Sequence, residues 1–210
     1  MLAARRDNNE GMVQYLLEQG VDVDAQDALG ETALIHAVYA GVYKTVSILL
    51  EYDASVTIAS FEGDTPLVRA ASRANENILL RILDHKDNVN AIPSVGRLPI
   101  IRTAFYGNQS AVRILLERGA SANIPDETGC SPLIAAAHKD FFGAVKLLLE
   151  YGATVDFCDD EGKSALMHAA SQGHVNSVKL LLDANASTDL KSNQDTQHST
   201  TPKKKEAYLL

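Results

Sequence analysis

The sequence predicts an all-α solenoid, a stack of helix-turn-helix units joined by short β-hairpins, and three observations predict it. Glycine recurs at positions 30, 63, 96, 129 and 162, always at the same interval. The residues between these glycines repeat in kind, from DALGETALIHAVYAGVYKTVSILLEYDASVTIA to DDEGKSALMHAASQGHVNSVKLLLDANASTDLK. A further, partial copy opens the chain at LAARRDNNEGMVQYLLEQGVDVDAQ. Self-similarity at such a period marks small units that cannot bury an apolar face alone, so that stacking builds one continuous core.

Within a unit the turn glycine precedes a first helix, whose apolar anchor is Leu34, Leu67, Ile100, Leu133 or Leu166. Small side chains follow, such as Ala70 with Ala71 and Ala136 with Ala137, and they let the two helices of a unit approach closely. A second helix carries Val46, Ile48, Leu49 and Leu50 on its buried side, with counterparts Val112, Ile114, Leu115, Leu116 and Val178, Leu180, Leu181, Leu182. Just past it the register aligns Gly20, Asp53, Lys86, Gly119, Gly152 and Asn185, where a left-handed residue is expected to stop the helix.

These motifs resemble the ankyrin-repeat family. Asp64 to Leu67 reads Asp-Thr-Pro-Leu, Ser131 to Leu133 Ser-Pro-Leu, Leu115 to Ala120 Leu-Leu-Glu-Arg-Gly-Ala, and Leu148 to Ala153 Leu-Leu-Glu-Tyr-Gly-Ala. The resemblance implies an array over 1–190, with a partial repeat at 1–26 and repeats at 27–59, 60–92, 93–125, 126–158 and 159–191, about six in all. Residues 192–210 are expected to be a polar disordered tail. One departure is systematic: the family's histidine after Pro-Leu is replaced by Ile35, Val68, Ile101, Ile134 and Met167, so looser hairpins are expected. Arg81 stands where other units place Tyr15, Ile48, Ile114, Leu147 or Leu180, and its stem can cover apolar surface while the charged head reaches water. With Ala74 and Lys86 in place of glycine, that unit is expected to be the least stable.

Charge narrows the partners. The chain carries −8 overall; four lysines and two acids in 191–210 give +2, leaving −10 on positions 1–190. A nucleic-acid binder shows the reverse, a clustered positive face, so the array is not expected to bind nucleic acid. Cys130 and Cys158 lack metal-type spacing and are expected to be free thiols. No charged-then-apolar leader opens the chain, and no apolar run approaches the ~18 residues that cross a bilayer, so membrane insertion is not expected and the cytoplasm, or alternatively the nucleus, is the expected compartment.

Catalytic chemistry finds no support in the pattern. The histidines are His36, His85, His138, His168, His174 and His198; His36 and His168 share one register position, and no pair sits at i, i+4 beside carboxylates in a ligand pattern. No nucleophile, base and orienting group are juxtaposed, and Gly162-Lys163-Ser164 lacks the rest of a phosphate loop. No enzyme activity, cofactor or metal is expected.

The resemblance implies a partner-binding surface at the hairpin tips and the concave face of the first helices. Mapped by register, the free positions include Leu29, Glu31, Tyr39, Phe61, Glu62, Asp64, Arg73, Arg97, Phe105, Tyr106, Cys130, His138, Lys139 and Lys163. Interface energy concentrates in aromatic and arginine side chains. The expected protein-binding strip is therefore Tyr39, Phe61, Arg73, Arg97, Phe105, Tyr106, His138 and Lys139. The expected function is a non-catalytic adaptor or scaffold that binds a protein partner; the alternative is a regulatory or targeting segment of an enzyme, a kinase or ubiquitin ligase, whose catalytic part lies elsewhere.

The ends carry their own expectations. The chain opens inside a unit and leaves Leu2, Val13, Leu16 and Leu17 without an obvious cover, while Val175, Val178 and Leu181 keep the buried-type pattern in the last unit. A monomer is expected, with end-to-end association as the alternative. In the tail, Thr201-Pro202-Lys203-Lys204 has the form of a proline-directed phosphorylation site at Thr201, and Lys203 to Lys205 resemble a short nuclear-import patch.

Overall fold

The computed structural model describes residues 1–73, 75–85 and 98–194. Among them a short 3-10 helix, Ala3–Arg5, is followed by eleven α-helices in chain order. They are α1 Glu10–Glu18, α2 Ala33–Ala40, α3 Tyr43–Glu51, α4 Pro66–Ser72, α5 Glu76–Leu83, α6 Pro99–Tyr106, α7 Gln109–Glu117, α8 Pro132–His138, α9 Phe142–Glu150, α10 Ala165–Ser171 and α11 Val175–Asp183. First helices stack on first helices (α2, α4, α6, α8, α10), and second helices on second helices (α1, α3, α5, α7, α9, α11). The result is a two-layered all-α solenoid. Its connections are turns with isolated β-bridges at Gln26 with Thr32 and at Cys158 with Ser164; no extended strand occurs among the described residues.

Local chemistry explains where the helices begin. Thr32, Thr65, Ser131 and Ser164 each accept, through the side-chain oxygen, the amide of the residue three positions on, and so cap α2, α4, α8 and α10. Pro66, Pro99 and Pro132 occupy the first helical position, where a missing N–H is harmless. At α6 the cap position holds Leu98, which offers no oxygen. Asn75 and Asn108 cap α5 and α7 in the same way.

The helix stops follow the register. Gly20, Asp53, Gly119, Gly152 and Asn185 all have positive φ. Lys86, like Ala74, lies outside the described residues. The cost of a side chain there is best isolated at Gly119, where φ is +87° and an added Cβ would meet nothing within 4 Å. Gly119→Ala is therefore expected to lose about 1 kcal/mol of stability from backbone strain alone. A urea unfolding curve would check it; an unchanged midpoint would contradict the strain.

The core runs through both layers. Leu34, Leu49, Leu50, Ile78, Leu79, Ile82, Ile101, Leu115, Leu133, Leu148 and Leu181 are all essentially inaccessible. Between them, fully buried Ala37, Ala70, Ala71, Ala104, Ala136 and Ala137 fill the seam, which is why small residues recur there. Val13 is buried, and α1 packs on α3, so part of the first unit's apolar set is covered after all. Leu2 and Leu16 remain exposed, as do Val175 and Leu182 at the other end, where Leu181 alone of its helix's apolar residues is fully covered.

Hydrogen bonds tie each unit to the next at constant offsets. The Asp24, Asn123 and Asp156 side chains accept the amides of Ser55, Thr154 and Ser187, each 31 residues on. Asn108 donates to the Ala71 carbonyl at 2.7 Å, and His174 Nε2 lies 3.1 Å from the His138 carbonyl. The turns stack as well: the amides of Phe61, Asp160 and Asn193 donate to the carbonyls of Leu29, Thr128 and Glu161. The last of these bonds, with buried Ser192, carries the stack into 192–193, inside the span expected to be tail.

Candidate protein-binding face

The hairpin turns and first helices share one side of the stack, and the turns are built alike. Asp27 Oδ1 accepts the amides of Leu29 and Glu31, Asp126 Oδ1 those of Thr128 and Cys130, and Asp159 Oδ1 those of Glu161 and Lys163. The second carboxylate oxygen of Asp27 meets His36 Nε2 at 2.8 Å, and that of Asp159 meets His168 Nε2 at 2.7 Å. A histidine one position beyond the family's usual one thus fastens the turn to the first helix. The looser hairpins expected from the substitution at Ile35 and Met167 are not found at these two units.

Both aspartates are held below the ordinary carboxylate range. For Asp27 the leading cause is the Leu29 amide, then the His36 ring. For Asp159 burial pushes upward, and the His168 ring with the Lys163 and Glu161 amides more than offsets it.

The register position of His36 and His168 holds Arg69, Arg102 and Ala135 in the three intervening units, and the two arginines form a charge ladder. Arg69 Nη2 lies 2.9 Å from Glu31 Oε1 and 3.2 Å from Asp64 Oδ2; Arg102 Nη2 lies 2.9 Å from Asp64 Oδ1. The Glu31–Arg69 and Asp64–Arg102 bonds both span 38 residues, one diagonal step between neighbouring units. Asp64 is 6% and Arg69 17% exposed. Glu31 and Asp64, mapped from sequence as free for a partner, are instead engaged within the stack. Arg69 and Arg102 escaped the sequence mapping, although aligned columns of acids (Glu31, Asp64) and bases (His36, Arg69, Arg102) were there to be read.

Asp27, Glu31 and His36 bring three potential metal-ligand atoms within 4.8 Å of one another. His36 already bridges the two carboxylates, at 2.8 Å to Asp27 and 3.3 Å to Glu31, and Arg69 neutralises Glu31. The cluster is an ion-pair network closed by a resident cation. Beside it a cleft of about 340 Å³ opens between Arg5, Leu29, Tyr39, Phe61 and Arg69.

The structure brings most of the expected strip together in ring–cation pairs. The Arg73 guanidinium sits 3.9 Å from the Tyr39 ring centre, with Arg69 at 5.5 Å from the same ring. The Lys139 ammonium lies 4.7 Å above Phe105, whose ring meets Tyr106 edge-on at 5.5 Å; Arg102 lies 5.3 Å from Tyr106. Tyr39 is 43%, Tyr106 50% and Phe61 73% exposed. Phe61 lies across the turn of the preceding unit, so close that a Cβ at Gly30 would stand 2.8 Å from its ring. Arg97 and Thr201 lie outside the described residues, as does the Lys203 to Lys205 patch.

His138 stands apart from these pairs. Its ring meets His168 edge-on at 5.5 Å, and its Nδ1 is buried without a hydrogen-bond partner among the described residues. Burial lowers its pKa, and nearby His168, Lys139 and His174 lower it further. A histidine favoured as neutral in the folded state costs stability once the unfolded chain protonates. The loss is expected to begin as pH falls below about 6.5 and to level off below the folded value. His138→Gln should flatten this slope between pH 7 and 5 in thermal unfolding; an unchanged slope would contradict the assignment. Asp27 and Asp159 act in a more acidic window, their contribution lasting until pH falls through their depressed folded values.

Neither Cys130 nor Cys158 is in a disulfide. Burial, then Asp159 and Asp156, push the Cys158 thiol up and away from the nucleophilic thiolate. No described helix is long and apolar enough to cross a membrane.

A family model described as ankyrin repeats (3 copies) matches residues 1–93 and again 96–193. Among solved structures, the ankyrin repeat domain of Bcl-3, described as a unique member of the IkappaB protein family, is similar at 27% identity and a TM-score of 0.82, over 92% of this chain and 89% of that one. An ankyrin repeat domain from Acinetobacter baumannii AYE is similar at 28% identity and a TM-score of 0.79, over 89% and 97%. The human ASB11 ankyrin repeat domain shares the fold at 24% identity and a TM-score of 0.76, over 90% and 89%. No curated protein matches the chain.

Proposed function

The chain belongs to the ankyrin-repeat family, and from that premise we propose that it is a non-catalytic adaptor or scaffold that holds a protein partner on the side of its turns and first helices. Ankyrin repeat domains are protein–protein interaction modules, and the particular face is our reading. Tyr39, Phe61, Arg73, Phe105, Tyr106, His138 and Lys139 would make the contact, with Arg97 as a neighbour by register.

The observation that carries this reading is the pairing of rings with exposed cations, exposed Tyr39 with Arg73 and partly buried Phe105 with Lys139. Rigid, half-exposed aromatic and arginine side chains are the groups in which interface energy concentrates. The ladder beneath them, Glu31–Arg69–Asp64–Arg102, holds the platform in place without presenting free charge. We place the protein in the reducing cytoplasm, where Cys130 and Cys158 persist as thiols.

The test is affinity purification with mass spectrometry of the tagged chain against the Tyr39→Ala, Tyr106→Ala double variant. Partners recovered with the parent chain should be depleted at least about tenfold, a loss of ~1.4 kcal/mol. Unchanged recovery, with an intact helical circular-dichroism spectrum, would overturn the proposed face.

A further inference from the structure

Two of the ring-paired cations on this face have no carboxylate among the described ion pairs, and they repeat at one geometry. Arg73 covers Tyr39 and Lys139 covers Phe105, each cation one repeat and one position beyond its ring, and the two pairs lie two units apart. Between them, in the register column of both cations, stands exposed Tyr106. The column therefore reads cation, aromatic, cation. Arg69 and Arg102, one step deeper, are neutralised by Glu31 and Asp64. Among the described residues, no carboxylate neutralises Arg73 or Lys139.

A guanidinium laid over a ring keeps the N–H donors at its edge free for a carboxylate, and the ring orders the side chain before any ligand arrives. We propose, building on the reading that this face binds protein, that Arg73 and Lys139 each take one carboxylate of an extended acidic peptide whose intervening apolar residue packs on Tyr106. Stacked helices lie about 8–10 Å apart, so two units span close to 20 Å. An extended chain rising about 3.3 Å per residue crosses that distance in some six residues. An even step puts both acids on one side of the peptide, with the residues two and four positions along facing Tyr106.

The general charge of the array argues for a peptide over a polyanion. Nucleic acid needs a continuous basic surface. Here positions 1–190 carry −10, and Glu62 and Asp64 stand nearby, so only discrete carboxylates set at the two cations gain.

The experiment is selection of a phage-displayed random dodecapeptide library on the full chain and, in parallel, on the Arg73→Gln, Lys139→Gln double variant. Both substitutions are at exposed positions, and circular dichroism checks that the variant is folded. The parent chain should enrich peptides with two acidic residues about six apart and an apolar residue between them. The synthetic consensus peptide should bind the parent at least about tenfold more tightly than the double variant in fluorescence anisotropy, and more weakly as salt rises. Enrichment of basic or uncharged peptides, no enrichment, or equal affinity for both proteins would overturn the proposal. If natural partners are lost from the Tyr39→Ala, Tyr106→Ala variant while the library shows no acidic preference, the face stands and its acidic specificity falls.

Discussion

Replacing Asp64 by alanine is expected to destabilise the array by about 3 kcal/mol, because it strips a buried carboxylate from two arginines at once. Asp64 Oδ2 and Oδ1 serve Arg69 and Arg102 at 3.2 and 2.9 Å, and the Nε atoms of both arginines are already buried without partners. Without Asp64, the half-buried Arg102 faces no described carboxylate, and Arg69 retains Glu31 alone. Asp64→Asn, which keeps the shape and one acceptor, should cost less. Replacing Asp64 and Arg102 together by leucines should recover most of the loss, since removing both members of a buried pair avoids the uncompensated charge. Urea unfolding of the parent, Asp64→Leu, Arg102→Leu and the double variant gives the double-mutant cycle. If Asp64→Ala proves neutral, the ladder is a solvated surface pair and not part of the platform.

Leu115→Ala is expected to cost about 3–4 kcal/mol, the scale for a leucine removed from a site that cannot collapse. Leu115 is wholly buried in α7, a helix with packed neighbours on both sides, α5 and α9. Leu181, equally buried in α11, packs beside α9 and has exposed Leu182 next to it, so the end of the stack can relax around the cavity and Leu181→Ala should cost less. Stability in such arrays is roughly a sum of unit and neighbour terms, and a weakened central unit can uncouple the two halves. Leu115→Ala should therefore broaden or split the unfolding transition, where Leu181→Ala leaves it single. A larger loss at Leu181 would contradict this order.

The fold was legible because one interval governs the chain. Once glycines recur at a fixed spacing, the aligned columns give the first-helix anchors, the alanine seam and the left-handed stops, as Gly20, Asp53, Gly119, Gly152 and Asn185 show. The site was legible only in part. Arg73 and Lys139 could be placed on the right side by register, but each meets a ring one position more than a repeat away, and the bonds of Arg69 to Glu31 and of Arg102 to Asp64 span 38 residues. Such offsets are neither a helical turn nor a whole repeat. They depend on how one unit is set against the next, which composition and periodicity do not specify. For the same reason Glu31 and Asp64 read as free acids in sequence and are ion-paired in the structure.

The displaced histidine shows a second limit. His36 and His168 sit one residue beyond the family's position, and matching motifs by position reads that as a lost anchor. The ring nevertheless reaches Asp27 or Asp159, because a helix residue one step along still projects toward the turn that precedes its helix. Chemistry at the site survives a shift that a pattern scores as absent.

The most direct test of the binding face is photo-crosslinking in cells with benzoylphenylalanine placed at Tyr106, in the first-helix layer, or at Tyr151, which ends the second-helix layer at α9. The two tyrosines are comparably exposed, so access alone does not separate them. Crosslinks to a discrete protein partner from position 106, and none from position 151, are the predicted result. Crosslinks from position 151 with none from position 106 would place the partner on the second-helix layer and contradict the account.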